Sequence, residues 1–424
     1  MSDDNLTPTD VAVACLLPLI IFVLGYHLLD KPRLSFVDIW DIIKGPSKAF
    51  KDDEPGYFSV QRAISSYETY LSLSRDEVDS MRRSYVKLGR AHKKVGYDLG
   101  YTKKLNRLEN IIKSNLVVTD AIAALARREF APELVDTPIT SGTKGDLGRV
   151  REALKHFVRD WSEEGREERE VIFSPILNFL SQTSAAQRRG MRVLVPGSGL
   201  GRLAWEISEL GFQTVAIELS SYMTLALRFL MSPSTTQQPN QHTIHPFASW
   251  FSHTRSNDHI FRAVSFPDVV PRQKENFQLV EGDFLSHRCP PLPDGNPNTE
   301  NGYDAIVTLF FIDTSVNIIA TLEHIYSLLR PGGIWINLGP LLWTSGGQAR
   351  LELSLEEVLN LAEMIGFKIH DGQNHDRVQR CSEEASQVSN RSTTIECEYT
   401  ADKMAMMRWI YRAEFWVATK EKIA

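Results

Sequence analysis

Near residue 191 the spacing of apolar positions changes period. Before it, residues 57–180 carry apolar side chains at helical spacing, such as Val60, Ile64, Tyr67 and Leu71, then Leu105, Leu108, Ile111 and Ile112. This pattern predicts a helical N-terminal region over 47–185. A Gly/Thr/Pro-rich break at 137–148 divides it, and the next helix puts Leu154, Phe157, Val158 and Trp161 on one side. From 192 the pattern is an apolar strand (192–195), an amphipathic helix (203–210) and a second strand (213–217). Further strands are predicted at 277–280, 305–311, 334–338, 367–370 and 413–418, with helices at 316–329 and 355–365. Such alternation implies an α/β domain over 186–424 with a mostly parallel sheet. The last two strands, joined by a polar segment, are expected to form an antiparallel hairpin at one edge. Two loops interrupt the regularity: an insertion at 232–276, rich in His, aromatic and Pro residues, is expected to be functional, and the Pro/Asn/Gly loop 286–302 to be disordered.

One further stretch stands out in the tail 1–46. Residues 11–29 are uncharged, with acidic residues before them and Lys31 and Arg33 after. The length is near the roughly 20 residues that cross a bilayer. An uncleaved anchor with the catalytic body on the cytoplasmic side is one expectation, and a hydrophobic helix packed on a cytosolic (or nuclear) body is the other. Composition is that of a folded soluble protein, with 424 residues, 42% hydrophobic and 24% charged. A net charge of -6 provides no global field for nucleic acid, which is not expected as a partner. Cys15, Cys289, Cys381 and Cys397 have no metal or disulfide spacing.

The sharpest local signal is 193–202, a strand running into Gly197, Gly199 and Gly201 at the start of a helix. Glycines there let the backbone turn tightly and approach a ligand. Glu218, at the end of the second strand, suits the two hydroxyls of a ribose. The third glycine stands one residue too early for a dinucleotide fingerprint, so S-adenosyl-L-methionine is favoured over NAD as cofactor. Asp283 and Phe284 follow the third strand, where a carboxylate can accept the adenine amino group and a ring can cover the base. The alternative is that the glycines merely tighten a turn and Asp283 caps a helix.

Longer segments carry a more specific signal. Phe157-Val-Arg-Asp-Trp-Ser162, Leu194 to Glu206, Phe266-Pro-Asp-Val269, Phe310-Phe-Ile-Asp-Thr314 and Gly332 to Leu342 together closely resemble the carnosine N-methyltransferase family over about 57–420. The resemblance implies a class I (Rossmann-like), seven-stranded methyltransferase fold with a helical N-terminal region. It implies methylation of the imidazole of carnosine to anserine, with other histidine-containing dipeptides as further acceptors; the oligomeric state is not legible in the sequence, a homodimer being one option. By position it assigns cofactor contacts to His156 (where the family has Gln), Arg159, Gly197, Glu218, Asp283 and Phe284. Arg159 suits a bidentate pair with the methionine carboxylate.

The same resemblance assigns substrate contacts to Asp313, Tyr399 and Tyr411. Imidazole is largely neutral at pH 7, so one ring nitrogen is already nucleophilic. A carboxylate at Asp313 on the other ring N–H would fix the tautomer and stabilise the developing imidazolium. A fourth substrate position departs from the family: Trp343-Thr344 replaces Tyr-His, so Thr344 offers a hydroxyl without the ring. His245, His253 and Trp250 in the insertion are the other rings considered there, although a lone loop histidine is more often solvated. Thr344 and segment 11–29 keep open a second reading, a methyltransferase of the same fold acting on a protein histidine or another small-molecule nitrogen. A non-enzymatic scaffold is disfavoured by Glu218, Asp283 and Asp313.

Overall fold

The computed structural model describes residues 59–134, 142–249, 251–289, 301–343, 349–371 and 391–421, all within one unit, Pro55–Ala424. Segment 11–29, Trp250, Thr344 and the centre of loop 286–302 (290–300) lie outside the described residues. Among the described residues no helix is long and apolar enough to cross a membrane.

The helical region begins with α1 (Val60–Glu68), α2 (Tyr70–Val86), α3 (Arg90–Asp98) and the long α4 (Tyr101–Glu129). On α4, Leu105, Leu108, Ile112, Val118, Ile122 and Ala126 form one buried stripe, as helical spacing requires. Helix α5 (Lys144–Trp161) starts inside the break expected at 137–148. Thr143 and Asp146 form a capping box at its N-terminus, and this local bonding outweighs the helix-weakening effect of Gly145 and Gly148. Helix α6 (Arg166–Ser181) follows after a tight corner. At that corner a Cβ on Gly165 would stand 2.2 Å from the Val158 carbonyl oxygen, so only glycine fits.

The sheet domain has strands β1 (Arg192–Pro196), β2 (Gln213–Glu218), β5 (Phe277–Glu281), β6 (Tyr303–Leu309), β7 (Leu329–Gly339), β8 (Phe367–Ile369), β9 (Thr393–Cys397) and β10 (Tyr411–Lys420). Their order is β5-β2-β1-β6-β7-β10-β8, with β9 also paired to β10. The first five run parallel, and β10 is antiparallel to β7, β8 and β9. Seven positions across the sheet match the expected seven strands, and the last is shared by β8 and β9 along β10. The expected antiparallel pairing of the last two predicted strands at one edge is present, with β8 at the edge beside β10, and the polar linker between them contributes the further strand β9. Helices α7 (Arg202–Glu209), α8 (Ser221–Met231), α9 (Ile318–Leu328) and α10 (Leu355–Ile365) complete the alternation.

The insertion contains two short antiparallel strands, β3 (His242–Ile244) and β4 (Val264–Phe266), too short to read from periodicity. It shares a core with the helical region, where Phe157 on α5 stacks on Phe266 with ring centroids 4.4 Å apart. Buried Asn115 on α4 donates to the His245 carbonyl at 3.1 Å and accepts the His245 N–H at 2.7 Å. The insertion is thus fixed to α4 on one side and α5 on the other.

Candidate active site

The turn after β1 depends on backbone conformations that side chains rarely adopt. Gly197, Gly199 and Gly201 have φ of 62°, 56° and 71°. A Cβ on Gly197 would stand 2.4 Å from the Phe311 ring, and one on Gly201 2.7 Å from Leu227. At Gly199 the space is open, with Arg159 Nη2 at 3.9 Å and His156 Nδ1 at 4.0 Å across it. Glu218 closes the other side. Its two oxygens accept the Gly199 and Ser220 N–H groups, each at 2.8 Å. Each oxygen keeps a lone pair for a hydroxyl ligand. Burial pushes the Glu218 pKa up, opposed by those backbone donors.

Helix α5 supplies the facing groups. Arg159 is buried and donates through Nε and Nη2 to Asp160 at 2.6 and 3.0 Å. Burial alone would lower the Arg159 pKa, but the Asp160 charge holds it above its ordinary value. Burial would likewise raise Asp160, and the Arg159 charge holds it well below the usual carboxylate range. That edge of the guanidinium is committed to Asp160, so the two-pronged grip expected of Arg159 is not available from it. His156, one turn earlier, has Nδ1 buried without a hydrogen-bond partner, 3.5 Å from Asp160 Oδ2. A buried ring nitrogen without a partner beside an open glycine cradle suits a polar ligand.

Tyr399 covers this cluster. Its ring lies 4.5 Å from the Arg159 guanidinium carbon and 4.6 Å from the Phe310 ring, and meets His156 edge-on at 5.7 Å. Phe310 has φ of 49°, strained for a phenylalanine, and also meets Tyr411 edge-on at 5.6 Å. Glu168 on α6 holds the following residues, accepting from the Thr400 and Ala401 N–H groups at 2.7 and 3.4 Å. Phe310, Asp160 and Glu168 were not foreseen from sequence. For Asp160 the signal was its place beside Arg159 in the Phe157 to Ser162 segment. For Glu168 there was none, because a carboxylate in a charged run does not announce its burial.

On the far side of the turn, Phe284 is buried and packs edge-on against Phe311 at 5.4 Å. Asp283 is exposed and caps the next turn through Leu285 N–H at 3.0 Å. Asp313 sits in a short turn after β6, 5% exposed, with Oδ2 accepting the Leu342 N–H at 3.0 Å. Burial raises its pKa to about 6, against the Leu342 hydrogen bond. A cleft of about 830 Å³ opens beside it, lined by Leu342, Tyr399, Tyr411 and the insertion residues Phe247 and His253. His245 is directed away from that lining, with Nδ1 2.9 Å from the Phe261 carbonyl.

The glycine turn, the carboxylate ending β2 and the buried acid after β6 occupy one end of the sheet. Comparison with known proteins agrees with that arrangement. A family profile described as Carnosine N-methyltransferase matches residues 137–422. The chain belongs to the carnosine N-methyltransferase family. The carnosine N-methyltransferase of Schizosaccharomyces pombe is 30% identical over 392 residues, covering 87% of this chain and 98% of that protein. The Mus musculus enzyme of the same name is 29% identical, covering 85% of each chain. Among solved structures, phosphoethanolamine N-methyltransferase 2 of Haemonchus contortus, in complex with S-adenosyl-L-methionine, aligns over 70% of this chain and 60% of its own, with 15% identity and a TM-score of 0.35. This member of the carnosine N-methyltransferase family is a methyltransferase that uses S-adenosylmethionine.

Proposed function

We propose that this enzyme transfers the methyl group of S-adenosylmethionine to the imidazole of carnosine, giving anserine and S-adenosylhomocysteine. The observation that carries the reading is Asp313, a buried carboxylate that accepts the N–H of Leu342, which lines a cleft together with Tyr399 and Tyr411, in a chain of this family. Glu218 would hold the ribose hydroxyls, with Gly197, Gly199 and Gly201 allowing close approach of the backbone. Asp283 and Phe284 would meet the adenine, and His156 and Arg159 the amino-acid end. Arg159 acts there as a fixed positive charge beside Asp160, rather than as a free fork. When bound, the cofactor supplies an electrophilic methyl on a sulfonium.

Asp313 accepts the imidazole N–H, leaving the other ring nitrogen with its lone pair directed outward. That nitrogen bonds to the methyl carbon as the carbon–sulfur bond breaks, and the ring becomes an imidazolium. The carboxylate offsets the new charge, and the ring then releases its N–H proton to solvent. Tyr399 and Tyr411 flank the ring, and Thr344 takes the place of the family's histidine with a hydroxyl. An acceptor panel tests the reading with labelled S-adenosylmethionine. Carnosine should accept methyl, whereas β-alanyl-alanine, without imidazole, should not. Equal labelling of both, or transfer only to a histidine within a protein, would replace it.

A further inference from the structure

Charges lining the cleft are nearly all matched within the protein. Lys155 has Glu152 at 3.6 Å and Lys403 has Glu167 at 2.7 Å, while Arg408 pairs with Glu398. The remaining lining carboxylate, Asp402, is taken by Arg262 at 2.8 Å. Arg255 also lines the cleft, and it has no carboxylate partner among the described residues. Among the described residues the cleft therefore carries one positive charge that no carboxylate pairs with.

The backbone on both sides of Arg255 is tied down. The Met406 N–H donates to the His253 carbonyl at 2.7 Å, and Thr254 forms a β-bridge with Ala405. Immediately after it, the Ser256 hydroxyl accepts the His259 N–H at 3.2 Å. This anchoring fixes the backbone that carries Arg255, an exposed residue lining the same cleft as Tyr399 and Tyr411.

We propose that Arg255 forms an acceptor subsite for a carboxylate, pairing with the carboxylate end of the dipeptide whose imidazole lies against Asp313. The inference rests on the imidazole-dipeptide reading above. A guanidinium matches a carboxylate through two parallel N–H donors. An amide or decarboxylated analogue offers no such charge, so Arg255 would select free dipeptides over capped ones.

The test compares carnosine with its C-terminal amide on the full chain, using wild type, Arg255→Gln and Arg255→Lys. For carnosine, Arg255→Gln should raise KM about tenfold, the effect of losing one charge-assisted contact, with kcat little changed. KM for the amide should be the same in wild type and variant. Arg255→Lys should recover part of the carnosine affinity and confirm that charge, not folding, is read. Equal KM changes for both acceptors, or none for either, would overturn the subsite while leaving carnosine methylation intact. Turnover of neither acceptor by wild type would overturn the dipeptide reading itself, and the subsite with it.

Discussion

The Thr400 N–H donates to Glu168 Oε1 at 2.7 Å, joining the first turn of α6 to the loop that carries Tyr399. Thr400 has φ of 51°, so this bond helps hold a backbone conformation that threonine resists. Ala401 gives the same carboxylate its N–H at 3.4 Å. Glu168 thereby sets where the Tyr399 ring lies over Arg159. Glu168→Ala should lower kcat/KM for carnosine by about tenfold or more, since each buried N–H left without a partner costs about 1–3 kcal/mol. Glu168→Gln, which keeps one acceptor oxygen, should fall between. A double-mutant cycle with Tyr399→Phe checks the link, because independent effects would simply add.

Asp313 predicts opposite signs for activity and stability. Its pKa is raised to about 6 by burial, and the carboxylate form does the work. Turnover should therefore fall as pH drops through about 6, in a limb that overlaps protonation of the substrate imidazole. Asp313→Asn should lower kcat by about a hundredfold or more, in the range of general acid–base contributions, while S-adenosylmethionine binding persists. For stability, a buried acid with a raised pKa favours the folded state most at low pH, and this contribution is lost as pH rises through about 6. Asp313→Asn should accordingly unfold at a higher temperature than wild type at pH 8, the two midpoints converging below pH about 4. Calorimetry at the two pH values measures the sign directly.

Gly199 faces His156 and Arg159 across an open space, at φ of 56°. Alanine there meets no severe clash, yet its left-handed backbone costs about 1–2 kcal/mol and its methyl enters the cradle. Gly199→Ala should weaken S-adenosylmethionine binding by at least about tenfold, as measured by calorimetry. Unchanged affinity would remove the glycine turn from the cofactor site.

Asp268 should matter for stability rather than chemistry. It accepts from Arg169 and Arg202, each at 2.6 Å, and Arg169 also donates to the Arg159 and Ser162 carbonyls. Both arginines are buried; without the shared carboxylate Arg202 keeps Glu206 at 2.6 Å, whereas Arg169 is left with main-chain carbonyls alone among the described residues. Asp268→Ala should destabilise the protein by about 3–5 kcal/mol, read from denaturant unfolding.

Much of this site could be read before the structure because its logic is local. Three glycines within five residues imply a left-handed turn, and β1, β2 and β6 are apolar runs whose ends place Glu218 and Asp313 at one edge. What escaped the sequence depends on distant contacts. Strands β3, β4 and β9 are short, and they exist because α4 and β10 offer partners. Asp160 looked like any helix-surface acid until the fold buried it against Arg159. Adjacency to Arg159 was the one sequence signal for Asp160, and it did not show that the pair would be buried with the Nε edge of the guanidinium bonded to that carboxylate.

The central claim is that Asp313 supports methylation of a dipeptide imidazole. Its most direct test is mass spectrometry of carnosine after incubation with S-adenosylmethionine and either wild-type protein or Asp313→Asn. Wild type should give a product heavier by one methyl replacing hydrogen, with fragments placing it on the imidazole, and the variant should give little or none while still binding the cofactor. Equal product from both proteins, or a methyl group placed outside the ring, would contradict it.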